Sequence, residues 1–136
     1  MANEFIIKNG FISKGDGQVE GDTSLTGTLE VNGEFREKGF TSLTGSGTIT
    51  VSGGTSIVNL RITGLDAVNL PNGNDGQKLT IYVQQNNGTD TTITPTTLLG
   101  ATSITMNAAG DSVQLLYQTT GGIGWVIIGG NGFTTS

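Results

Sequence analysis

Asn-Gly pairs interrupt this sequence at five places, Asn9-Gly10, Asn32-Gly33, Asn72-Gly73, Asn87-Gly88 and Asn131-Gly132, and the 23 glycines rarely leave more than ten residues free of one. Gly and Asn tolerate the positive φ of tight reversals, so each pair marks a turn. A chain cut this often has no room for long helices. Between the turns stand Thr, Val and Ile, whose branched Cβ fits a pleated strand. The spacing predicts an all-β protein with many reversals.

Composition narrows the functions open to such a chain. The 136 residues contain no Cys and no His, which excludes a disulfide framework, a thiolate metal site and the commonest catalytic base. The net charge is -5, and no basic cluster is present to form a nucleic-acid footprint. The longest apolar run is Trp125–Ile128, far short of the roughly 20 residues of a membrane-spanning helix. Met1–Gly10 lacks the basic start and apolar core of a secretory signal. Disorder is also disfavoured, because Ile, Val, Leu, Tyr and Trp fall in alternating runs.

The first half contains an internal echo. Phe5–Lys8 and Phe11–Ser13 read as short strands, and then Thr23-Ser24-Leu25-Thr26-Gly27 returns 18 residues later as Thr41-Ser42-Leu43-Thr44-Gly45. Each copy precedes a strand and a Gly, Thr28-Leu29-Glu30-Val31-Asn32-Gly33 and Thr48-Ile49-Thr50-Val51-Ser52-Gly53. One face of these units carries Leu25, Leu29 and Val31, or Ile49 and Val51, and Val58, Leu60 and Ile62 continue the alternation. The stripes are only one or two residues wide. Thin stripes hold little apolar area for a core. Three copies packed about one axis would bury each stripe against its symmetry mates, so a homotrimer is expected. Its core candidates are Leu25, Leu29, Val31, Ile49, Val51, Val58, Leu60, Ile62, Trp125 and Ile127.

The character changes near Leu70-Pro71-Asn72-Gly73, which divides an N-terminal region, residues 1–66, from a C-terminal knob, residues 67–136. Strands are expected at Lys78–Gln84, Asp90–Thr94, Ser103–Met106, Ser112–Gln118 and Trp125–Ile128. Their spacing of about ten residues suggests a small antiparallel sandwich or barrel. Trp125–Ile128 is apolar on both faces, as in a central or inter-subunit strand.

The sequence offers little for catalysis. The eleven carboxylates are scattered, and Glu34 and Glu37 flank Arg36 and Lys38 in what reads as a solvated loop. Gly121-Gly122-Ile123-Gly124 lacks the following Lys-Ser/Thr of a phosphate-cradling loop and reads as a hairpin turn. Asn72–Gly76 has one carboxylate where calcium wants several, and reads as a turn. Asn87-Gly88-Thr89 fits a glycosylation sequon but reads as a plain hairpin turn. Trp125 and Tyr117 could stack on a sugar, although a lone Trp on an apolar strand is more often core. No cofactor and no metal are expected.

Three stretches resemble bacteriophage virion-surface proteins. Met1–Gly10 resembles the first residues of many phage tail-fibre proteins. Leu25–Gly33 is similar to the strand–Gly units of trimeric fibre shafts. Leu70-Pro71, Gly76–Ile81, Ser112–Tyr117 and Gly124–Gly129 resemble the β knob at the C-terminal end of such chains. The resemblance implies a non-enzymatic homotrimer on the virion surface: fibre- or prism-like β units in the N-terminal region and a knob beyond them. The first 65 residues, folded back in short units, would make only a stub rather than a long shaft. The expected role is therefore capsid decoration, a cement protein or short head fibre. Its partner would be the major capsid protein, gripped through Phe5, Ile6, Ile7, Phe11 and Ile12, with three linked contacts adding their strength. The alternative is a short tail fibre or adhesin that recognises host-surface glycan through Tyr82, Trp125 and Phe133.

Overall fold

A computed structural model of the chain describes residues 24, 26–33, 39–51 and 55–136. Phe5, Ile6, Ile7, Phe11, Ile12, Leu25, Glu34 and Glu37 lie outside the described residues. The chain divides into two units, 1–35 and 36–136. In the first, residues 24 and 26–33 are exposed and form no strand, so the strand expected at Thr28–Val31 is absent there. A strand needs a neighbour for its peptide groups, and none of the described strands pairs with these residues.

The second unit is all-β, two five-stranded mixed sheets consistent with a sandwich. The strands are β1 (Phe40–Thr44), β2 (Gly47–Thr48), β3 (Ile57–Arg61), β4 (Asp66–Leu70), β5 (Lys78–Gln85), β6 (Thr91–Pro95), β7 (Ile104–Met106), β8 (Ser112–Gln118), β9 (Gly124–Asn131) and β10 (Phe133–Thr135). A single 3-10 turn, Thr120–Gly122, joins β8 to β9. The first sheet runs β1-β3-β5-β8-β9 and the second β10-β7-β6-β4-β2.

Consecutive strands from β1 to β6 alternate between the sheets. β1, β3 and β5 therefore pair in parallel, with Phe40 opposite Ile57 and Ile57 opposite Thr80. β2, β4 and β6 do the same in the second sheet, with Gly47 opposite Val68 and Val68 opposite Ile93. The result is a three-rung coil with about 20 residues per rung. After it the direction reverses: β7 pairs antiparallel with β6, β8 with β5, β9 with β8 and β10 with β7. The expected antiparallel knob is thus corrected. Only its last four strands are laid down antiparallel, because the short connections between earlier strands step across to the other sheet instead of folding back. Asn87-Gly88-Thr89 is such a crossing from β5 to β6, not a hairpin. β4 runs across the expected division at residues 66 and 67, and β1 and β3 share a sheet with β5.

This winding also corrects the argument that one chain cannot bury its stripes. Stripes of opposite sheets face each other. Val58, Leu60, Leu79, Ile81, Val83, Val113, Leu115 and Trp125 come from the first sheet, and Val68, Leu70, Ile93, Ile104 and Met106 from the second. All are buried within one chain. Pairs such as Ile81 with Val58 and with Val113, and Ile93 with Val68 and with Ile104, continue each stripe across neighbouring strands.

Stacked corners brace one side of the coil. Gly45, at φ +70, turns β1 into β2 and donates its N–H to the Arg61 carbonyl (3.0 Å). Ser46 Oγ accepts from Ala67 N (3.0 Å). Asn87 Nδ2 donates to the Thr63 carbonyl of the corner before it, and Asn86 Nδ2 to the Asn107 carbonyl of the one after. Asp66 Oδ2 accepts from Thr63 N (2.8 Å), and Asp111 Oδ2 from Asn107 N and Ala108 N (2.9 Å each). Asp66 and Asp111 are therefore buried carboxylates that satisfy turn amides.

Candidate functional site: the outer face of the first sheet

Strand alternation gives the first sheet an outer face as well as a core face. On β5, Leu79, Ile81 and Val83 point inward, which leaves Lys78, Thr80 and Tyr82 outside. The same rule puts Phe40 of β1, Ile57 of β3, Leu116 of β8 and Val126 of β9 on the outer face. Register sets them in rows: Phe40, Ile57, Thr80 and Gln114 run across four strands, and Lys78, Leu116 and Val126 lie side by side in the adjoining row. Phe40 is 57% exposed, while Ile57, Leu116 and Val126 are half-buried.

β9 is apolar on both faces. Trp125 is sealed in the core, and Ile127 packs against it. On the other side stand Val126 and Ile128. Leu115 pairs with Ile127 but Gln114 with Gly129, so Ile128 is the extra residue of a β-bulge, 50% exposed. The apolar run was expected in a central or inter-subunit strand; β9 is not central but the last strand of its sheet, its outer side bridged at Trp125 by Leu98 and open beyond it among the described residues. An edge strand with apolar side chains on both faces is the kind that proteins usually blunt or cover.

Polar groups share this side. A shallow groove of about 230 Å³ runs among Ser56, Lys78, Thr80, Gln114 and Ile128. The Ser56 hydroxyl is buried without a hydrogen-bond partner. Asn59, on β3 between Ser42 and Tyr82, donates through Nδ2 to Gln84 Oε1 (2.7 Å), but its Oδ1 is buried and unpartnered. A buried acceptor left unmade costs about 1–3 kcal/mol.

A second cleft, about 410 Å³, opens beside the corner between β4 and β5. Asn74–Gln77 is a tight turn closed by Gln77 N donating to the Asn74 carbonyl (2.9 Å), with Gly76 at φ +78. Gln77 fastens this corner to the preceding one, donating through Nε2 to the Val51 and Thr55 carbonyls (2.9 and 3.1 Å). Asp75 Oδ1 accepts from Thr119 N (2.8 Å) and Thr119 Oγ1 (3.0 Å). The backbone N–H first, and then the hydroxyl, hold the Asp75 carboxyl below its usual value. The loop that faintly resembles a calcium site is thus a turn whose one carboxylate is bonded to Thr119.

The trimer-core candidates separate into three groups. Ile49, Val58, Leu60, Ile62 and Trp125 are buried within the single chain, at most 2% exposed, so no surface is left on them for a neighbour. Val51 and Ile127 are partly buried against the same core. Leu29 and Val31 are 61% and 45% exposed. Trp125 donates through Nε1 to the Pro71 carbonyl (2.8 Å) and meets Tyr117 edge to face at 5.1 Å, so it has no free face for a sugar. Phe133 packs against the core and Tyr82 is half-buried. Phe40 and Leu116 escaped the sequence reading, although each alternates with inward-facing neighbours. Compared with known proteins, the sequence matches no family model and no curated protein.

Proposed function

We infer that this protein is a non-enzymatic structural protein of a bacteriophage virion surface, a homotrimer that decorates and stabilises the capsid. The observation that carries self-association is the outer face of the first sheet, where Phe40, Ile57, Leu116, Val126 and Ile128 lie beside orphaned polar atoms of Asn59 and Ser56. A second copy laid there would cover that apolar surface. The site of action rests on the likeness of Met1–Gly10, Leu25–Gly33 and the knob stretches to phage surface proteins. In this reading trimeric linkage turns three modest capsid contacts into one tenacious attachment.

The test has two parts. Light scattering should give three times the 14.0 kDa of one chain, and Ile128→Glu should lower that mass without unfolding the protein. Purified trimer should co-sediment with phage heads lacking it and raise their resistance to heat, while deletion of residues 1–18 should abolish binding and leave the trimer intact. A folded wild type scattering at 14.0 kDa, or heads neither bound nor stabilised, would overturn the assignment.

A further inference from the structure

The second Thr-Ser-Leu-Thr-Gly copy shows what this unit does in the fold. Thr41–Thr44 form most of β1, Gly45 makes the corner, and the chain enters β2. Leu43 and Val51 pack against the core, and Ile49 is 2% exposed. Together they make one rung. Ile49 N donates to the Asn69 carbonyl (2.9 Å), so the pairing of β2 continues past its two residues. Among the described residues β1 and β2 have no strand on their other sides, being edges of the first and second sheets at the same end of the coil. The opposite end is finished differently, by antiparallel strands.

The sequence holds a further rung's worth of matching residues. Thr28-Leu29-Glu30-Val31 matches Thr48-Ile49-Thr50-Val51 once Ser46 and Gly47, which have no counterpart in the first copy, are set aside. Its two apolar residues, Leu29 and Val31, are exposed where their counterparts are covered. Among the described residues this stretch belongs to neither sheet, and β2 is an edge. The described residues therefore include a sheet edge and, separately, an exposed segment with that edge's own sequence pattern.

We propose that residues 26–33 of a second copy add to the free edge of β2 as a parallel strand, with Thr28 beside Thr48 and with Leu29 and Val31 extending the rows of Ile49 and Val51. The proposal rests on the reading that copies associate and adds a strand exchange to the contact through the outer face of the first sheet. A donor segment and an acceptor edge are different surfaces, so the contact is head to tail. Such a contact closes into a ring when each copy gives its segment to the next, and a closed ring leaves no donor segment and no β2 edge unused. The chosen alignment keeps apolar residues inward, since a slip of one residue would send Leu29 and Val31 to the outer side.

The absence of native Cys makes a clean test possible. Neighbouring strands lie about 4.8 Å apart, within the separation a disulfide spans. Thr28→Cys and Thr48→Cys proteins are refolded together and oxidised, alongside each variant alone and the double variant. The expected result is a two-chain band from the mixture, none from either variant alone, and covalent rings from the double variant. Cross-linking of the double variant within single chains only, or no cross-linking at all, would overturn the exchange. If scattering still reports a trimer in that case, association stands and only the exchange falls; if it reports 14.0 kDa, both fall.

Discussion

Leu60→Ala separates a core made by one chain from a core made by three. Leu60 sits on β3 at 2% exposure, between Leu43 and Val83 in the first sheet. The substitution removes three carbon groups, worth about 2.4 kcal/mol at ~0.8 each. A residual cavity between two sheets raises the loss to about 3–4 kcal/mol. Against a total stability of ~5–15 kcal/mol, the variant should fold but unfold early. With a urea slope of about 2 kcal/mol per M, the midpoint should fall by about 1.5–2 M. Trp125 is the sole Trp and is fully buried, so its emission reports the transition directly. Because the lost contacts lie within one chain, the difference between wild type and variant should not change with protein concentration, whereas damage to an inter-subunit contact would. A loss below about 1 kcal/mol, or one that grows on dilution, would refute the single-chain core.

Two further outcomes follow from local geometry. Asp75 is held below the ordinary aspartate value of 3.8, so its bonds to Thr119 stabilise the fold above that pH, and the contribution vanishes as acid takes the pH down through the lowered folded value. NMR titration of Thr119→Ala should show the Asp75 midpoint moved part of the way towards 3.8, since the larger backbone bond remains; a wild-type midpoint at or above 3.8 would contradict the geometry. Gly124→Ala combines a positive φ of 80° with a Cβ only 2.7 Å from the Thr97 carbonyl, while Gly88→Ala at φ +93 meets nothing within 4 Å. Thermal unfolding should show a loss of about 1–2 kcal/mol at Gly88 and a distinctly larger one at Gly124, and equal losses would refute the close approach.

Individual strands were legible where alternation was strong. Ser112–Gln118 is found at its expected bounds, and Lys78–Gln84 differs by one residue. Partnership was not legible, because a period of two states which face is buried and is silent about the neighbour. Gln85 and Thr91 are separated by a short loop rich in Asn and Gly, the same chemistry that closes a hairpin, and here it crosses between sheets. β4 was hidden in the expected boundary, although Val68 and Leu70 alternate with Ala67 and Asn69. The stripe of Val58, Leu60 and Ile62 was read correctly as a buried face, but its cover is the opposite sheet rather than another copy. For the candidate site, the two-faced apolar run of β9 was visible in sequence. That Phe40 and Ile57 join one outer row was not, since the row depends on β1 lying beside β3.

The reversal of direction after β6 has a consequence for how molecules of this kind change size. Parallel turns can be stacked like coins, each new one meeting the same surface as the last, whereas the β7–β10 segment fits over the final turn as a lid. Duplicating a 20-residue block ahead of that lid should therefore lengthen the body by about one strand spacing, ~4.8 Å, without redesign elsewhere. Stature becomes a matter of counting, and the terminating strands set where the count stops.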